Sequence, residues 1–229
     1  HRQPVKGSLY YIGFGVSRYR NSSLNLKYAA KDAEDLGAVF SRMGRNYAAV
    51  RVHTFTNENC TVANIRAAKA LLKDARPDDT VVLFIAGHGI HDTDRDDTYY
   101  FATHEADQAN LAGSAADFDI IEDILQGIAP RNKFFLMDTC ESGEIERDVE
   151  RDYYAMAARR GIAPRAIVVK DKRASSARPR TYLALRNRYI YNDLVRRSGS
   201  IVFSSSRGGE LSYESDDLRN GFFTNRLIA

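Results

Sequence analysis

An α/β fold, with a mostly parallel sheet covered by helices on both faces, is predicted by three observations. The runs Leu9–Val16, Thr80–Ala86 and Phe134–Met137 are unbroken apolar stretches of strand length, as strands buried on both faces require. The segments between them place apolar residues at helical spacing. The resulting strand–helix–strand–helix–strand order implies parallel pairing with right-handed crossovers.

Each element has its own signal. Leu9–Val16 (LYYIGFGV) reads as the first strand, and Ser17–Ser23 as a polar loop. From about Leu26 to Met43, Ala29, Ala33, Leu36, Val39, Phe40 and Met43 share a helical face, with Gly44 as the stop. Val50–Phe55 is the second strand. Thr61 reads as an N-cap for a face built of Val62, Ile65, Ala68, Leu71, Leu72 and Ala75, ended before Pro77. Thr80–Ala86 is the third strand, Thr98–Thr103 a short one, Ile120–Ile128 a third amphipathic helix and Phe134–Met137 the fourth main strand. Beyond Gly143 the texture loosens. Glu144–Arg160 alternates charges and reads as a loose helix, Ala163–Val169 as a short strand or an extended segment, and Asp171–Arg180 (DKRASSARPR) has the composition of an exposed mobile segment. Tyr189–Arg197 is helix-like, Ser200–Ser206 is a strand, and Phe222–Ala229 begins a helix.

Composition narrows the function classes. With 229 residues, 44% of them hydrophobic, the chain can fill one α/β domain. We divide it into a larger part (1–145), a flexible basic linker (146–188) and a smaller part (189–229) that reads as truncated. A net charge of +3 argues against direct nucleic-acid binding through phosphate neutralisation. Two cysteines, Cys60 and Cys140, provide no disulfide framework and suit a reducing, cytoplasmic setting. No apolar run reaches the roughly 18 residues of a membrane span.

Two strand ends carry the chemistry. Thr80–Ala86 runs into Gly87-His88-Gly89, and Phe134–Met137 into Asp138-Thr139-Cys140-Glu141-Ser142-Gly143. Open α/β sheets bind ligands beyond the carboxyl ends of their strands. A thiol is a nucleophile only as thiolate, so Cys140 needs a base, and His88 is the best candidate. The glycines beside His88 leave room for substrate, and backbone N–H groups at Gly89 and Cys140 can point at a developing oxyanion. No zinc spacing accompanies these residues, and no metal is expected at the site.

The segments Lys31–Leu36 (KDAEDL), Ala86–Gly89 (AGHG), Asp138–Gly143 (DTCESG) and Ser204–Glu214 (SSSRGGELSYE), in this order, resemble the caspase-like cysteine peptidases, specifically the metacaspase and bacterial caspase-domain branch. The 52 positions between His88 and Cys140 are close to the roughly 50 known for caspases. The resemblance implies an α/β/α sandwich and an endopeptidase with His88 as general base and Cys140 as nucleophile. It places Asp32 and Asp138 in the primary specificity pocket, with Glu210 as an added acid. A carboxylate-lined pocket favours Arg or Lys before the cut, because a desolvated guanidinium needs a carboxylate partner. Glu141 stands where the family often has His, and Gly208 or Gly209 where it usually has an acid.

In this family the region between the catalytic parts is often cut, which makes Arg173, Arg178 and Arg180 candidate self-cleavage sites. Some metacaspases need calcium; here Asp92, Asp94, Asp96 and Asp97 form an acidic loop without the EF-hand pattern. The expected partners are a protein or peptide substrate and regulatory domains outside this sequence, with the chain itself monomeric. A non-catalytic caspase-like interaction module is the alternative from another class, since fold does not guarantee activity.

Overall fold

A computed structural model describes residues 6–92, 98–139, 161–165, 196–205 and 212–229. Its centre is a five-stranded parallel sheet built from β1 (Leu9–Gly15), β2 (Val50–Thr56), β3 (Thr80–Gly87), β7 (Asn132–Thr139) and β9 (Ile201–Ser204), in the order β2-β1-β3-β7-β9. β1 and β3 are buried along their whole lengths, which explains why their apolar runs do not alternate.

Alternate residues of each central strand enter two separate cores. Tyr10, Ile12, Phe14, Val81, Leu83, Ile85, Phe135 and Met137 pack on one face, with Ile65, Leu72, Ile121 and Ile124. Leu9, Tyr11, Val82, Phe84, Ala86 and Leu136 pack on the other, against Ala29, Ala33 and Leu36. The three layers expected from sequence are therefore present.

Helix α1 (Ala29–Ser41) lies on the second face, and Gly37 lets it approach closely. A Cβ at Gly37 would stand 3.1 Å from both Tyr11 and Val52 side chains. Helix α5 (Phe222–Ile228) packs beside α1, adding Phe223 and Ile228 to the same core. On the first face sit α2 (Val62–Ala67), capped by Thr61 as expected, and α4 (Phe118–Asp123), capped by Asp117. A single-turn helix, α3 (Leu111–Ser114), precedes α4. The face expected to run to Ala75 as one helix breaks instead into α2 and a 3-10 turn over Ala68–Leu72.

Two small antiparallel sheets lie outside the main one. One joins β4 (Gly89–Asp92), β5 (Thr98–Phe101) and β6 (Ala116–Asp117), so the short strand expected at Thr98 belongs there. The other joins β8 (Ile162–Pro164), β10 (Tyr213–Ser215) and β11 (Asn220–Gly221). Gly161–Arg165 falls within the span expected as a flexible linker. These five residues are instead tied down, because β8 is hydrogen-bonded to β10 and the Arg165 side chain is fully buried.

Candidate active site

The register of the central sheet sets the positions of the expected site residues. Gly87 at the end of β3 is paired with Thr139 at the end of β7. His88 follows the first and Cys140 the second in sequence. Cys140 itself lies outside the described residues, as do Glu210, Arg173, Arg178, Arg180 and three acids of the calcium-candidate loop, Asp94, Asp96 and Asp97.

His88 is held as a neutral imidazole. Gly87 has φ +151, a conformation that L side chains rarely adopt, and a Cβ there would meet the Tyr19 hydroxyl at 2.9 Å. That hydroxyl accepts a hydrogen bond from the His88 backbone N–H at 3.1 Å, and the two rings lie 5.3 Å apart. The His88 Nε2 is 2.8 Å from the Leu24 carbonyl. A carbonyl can only accept, so Nε2 carries the proton and the neutral ring leaves Nδ1 as a lone pair. Nδ1 is buried and has no hydrogen-bond partner among the described residues. Burial lowers the His88 pKa below its ordinary 6.5, and the Arg165 charge lowers it further. Backbone contacts from Arg165 and Leu24 act in the opposite direction.

The expected pocket acids come together, and a cation sits between them. Asp32, in the first turn of α1, and Asp138, on the α1 face of β7, are both fully buried. Asp32 does not pair with a neighbouring lysine: Lys31 pairs with Asp35 and Lys27 with Asp216. Its partner is Arg165, 133 positions away. The same guanidinium places Nη1 2.8 Å from Asp138 Oδ2 and Nε 3.6 Å from Glu214 Oε2. Nη1 also donates to the Asp138 carbonyl at 3.2 Å. The side chain of Arg165 has 0% exposure.

Each acid is also held by donors of its own. Asp32 accepts from Asn220 Nδ2 at 2.8 Å and from the Gly221 N–H at 3.0 Å. Asp138 accepts from Ser212 at 2.6 Å and Thr224 at 3.0 Å. Glu214 accepts from the Lys27 and Tyr28 N–H groups at 2.8 and 3.1 Å. Burial raises the Asp32 pKa against the opposing pull of Arg165. Burial also opposes the charge on Arg165, but Asp138, Asp32 and Glu214 outweigh it and hold that group firmly protonated. Gly221 makes the cradle possible, since a Cβ there would lie 2.8 Å from one guanidinium nitrogen and 2.9 Å from the other.

The sequence singled out Asp32, Asp138 and His88 as candidates, and offered no role for Arg165, Glu214, Gly221, Tyr19 or Leu24, which contact them or one another. Glu214 lay inside the recognised SSSRGGELSYE segment, four positions after the acid singled out there. The only signal for Arg165 was a lone cation in the apolar extended stretch IAPRAIVV. Cys60 is buried, and burial pushes its thiol pKa well up.

A family model described as the caspase domain matches residues 12–229. Among solved structures, protein GSU0716 from Geobacter sulfurreducens is similar in fold, with TM-score 0.61 and 19% identity over 96% of this chain and 80% of that one. No curated protein sequence matches significantly. Among the described residues, no helix is long and apolar enough to cross a membrane.

Proposed function

The chain belongs to the caspase-domain family of cysteine peptidases, and from that premise we propose that it is an endopeptidase cutting after arginine or lysine, with Cys140 as nucleophile and His88 as base. The observation that carries this reading is the seat of the Arg165 guanidinium. Asp32, Asp138 and Glu214 surround it in full burial, with carboxylates fixed by other donors. A buried guanidinium is tolerated only where carboxylates pair with it, and three of them meet one here.

The chemistry follows from the atoms at the strand ends. His88 Nδ1, unprotonated and without a hydrogen-bond partner among the described residues, takes the thiol proton of Cys140. The thiolate attacks the carbonyl of the residue whose side chain fills the pocket. Backbone N–H groups of Gly89 and Cys140 stabilise the oxyanion, and the imidazolium then protonates the leaving amine. Water hydrolyses the resulting thioester, with His88 again as base. The Leu24 carbonyl keeps the ring oriented and in the productive tautomer throughout.

The test is hydrolysis of a small Arg peptide beside an Asp peptide, by the wild-type chain and by Arg165→Ala, whose pocket lacks its occupant. Turnover of the Arg peptide alone, lost in Cys140→Ala and His88→Ala, is the expected result. A folded Arg165→Ala protein that cuts neither peptide would reject the reading in favour of a non-catalytic interaction module.

A further inference from the structure

We infer that Gly161–Arg165 is an internal substrate seated in the chain's own specificity pocket, and that Arg165–Ala166 is the bond the protein cuts in itself; this rests on the peptidase reading above. Three features distinguish this arrangement from an ordinary buried ion-pair network.

The backbone is bound as an added strand. Ile162, Ala163 and Pro164 pair antiparallel with Ser215, Glu214 and Tyr213, and the Arg165 N–H donates to the Ser212 carbonyl at 2.9 Å. Main-chain pairing to a sheet edge, with a side chain dropped into a pocket, is a common way of holding an extended peptide.

The pocket is also organised independently of its occupant. Asn220, Gly221, Ser212, Thr224, Lys27 and Tyr28 supply donors to all three acids. Remove the guanidinium and every carboxylate keeps a partner. Three acids against one base is an imbalance expected of a receptor for cations, whereas a structural pair would be balanced.

The third feature is the position of the seat. Arg165 Nη1 donates to the Asp138 carbonyl at 3.2 Å, two positions before Cys140, and His88 Nδ1 has no hydrogen-bond partner among the described residues. In the proposed register, the residue whose side chain fills the pocket is also the one whose carbonyl is attacked. In the proposed step the Cys140 sulfur bonds to the Arg165 carbonyl carbon and the Arg165–Ala166 C–N bond breaks. The proton taken from the thiol passes through His88 to the Ala166 amine. One water then cleaves the thioester, leaving the Arg165 carboxylate and the free thiol. Until this segment leaves, an arginine from another protein finds the guanidinium site filled. Arg173, Arg178 and Arg180, the sites expected from composition, lie eight or more positions further along.

The full chain is incubated at neutral pH over a range of dilutions and followed by intact mass and N-terminal sequencing. The expected products end at Arg165 and begin at Ala166, form at a rate independent of protein concentration, and are absent from Cys140→Ala and Ala166→Pro. The second variant leaves the Arg165 side chain in place. Cleavage only at Arg173, Arg178 or Arg180 overturns the inference. So does an uncut chain whose Arg165→Ala variant hydrolyses Arg peptides, and that result leaves the peptidase reading standing. An uncut chain together with an inactive Arg165→Ala removes both. Occupancy is tested without catalysis, in a Cys140→Ala background, by thermal unfolding with agmatine, an alkyl guanidinium. A saturable rise in melting temperature is expected when Arg165 is also changed to Ala, and none when Arg165 is present; an equal response in both overturns the seating.

Discussion

Replacing Gly221 with Ala tests the guanidinium cradle by adding one methyl group. The backbone there, φ −63 and ψ 149, suits alanine, so conformational strain plays no part. The new Cβ would stand 2.8 and 2.9 Å from the Arg165 terminal nitrogens, and closer still to Asp138 Oδ2. Non-bonded heavy atoms prefer about 3.5–4.0 Å, so one group or the other must retreat by roughly half an ångström or more. Neither has free space, because Arg165 and Asp138 are fully buried and Ser212 and Thr224 hold Asp138 in place. Overpacking of this kind costs about 1–3 kcal/mol, and loosening a charged hydrogen bond adds about 1.5–3 kcal/mol. A combined loss of about 3–5 kcal/mol corresponds to roughly 6–20 °C in melting temperature for a domain of this size. Gly44→Ala is the control, as nothing lies within 4 Å of its Cβ. Thermal unfolding of both variants, in a Cys140→Ala background, reads the difference. Equal melting temperatures would refute the close fit on which the pocket assignment depends.

Three further outcomes are expected. Iodoacetamide near neutral pH should label Cys140 while sparing Cys60, whose thiol is buried and held protonated; mass spectrometry showing equal labelling would contradict this. Because the folded-state pKa of His88 is depressed, its share of stability is full above about pH 6.5 and is lost as pH falls through the folded value. Urea unfolding between pH 7.5 and 5.5 should therefore show a shallower pH dependence in His88→Gln than in the parent chain, and parallel curves would sink the assignment. Tyr19→Phe strips the acceptor from the buried His88 N–H and should cost about 1–3 kcal/mol, measured by urea unfolding. A loss within error of zero would show that the Tyr19 hydroxyl does not fix the His88 backbone.

The central sheet, α1 and the candidate base were legible because their signals are local. Val81–Ala86 is unbroken apolar sequence since both faces of β3 are buried. Asp138 stood out as a carboxylate ending such a run. Asp32 gave no such signal, and the resemblance more than its spacing favoured the pocket. β4 and the break in α2 were missed because short antiparallel strands and 3-10 turns depend on tertiary partners more than on residue pattern.

What the sequence by itself determined is therefore the layered α/β architecture and the two strand ends that carry His88 and Cys140. These follow from burial of contiguous apolar segments, a property each segment carries alone. The tertiary structure decided what the two acids meet. It brought Arg165 between them, added Glu214 as a third acid, and left room for the guanidinium only because Gly221 has no Cβ. A buried charge takes whichever opposite charges the fold delivers within reach, and Asp32 and Arg165 meet across 133 positions. Pairing over such a distance leaves no periodicity and no spacing rule in the chain, so it exists only once the sheet has formed.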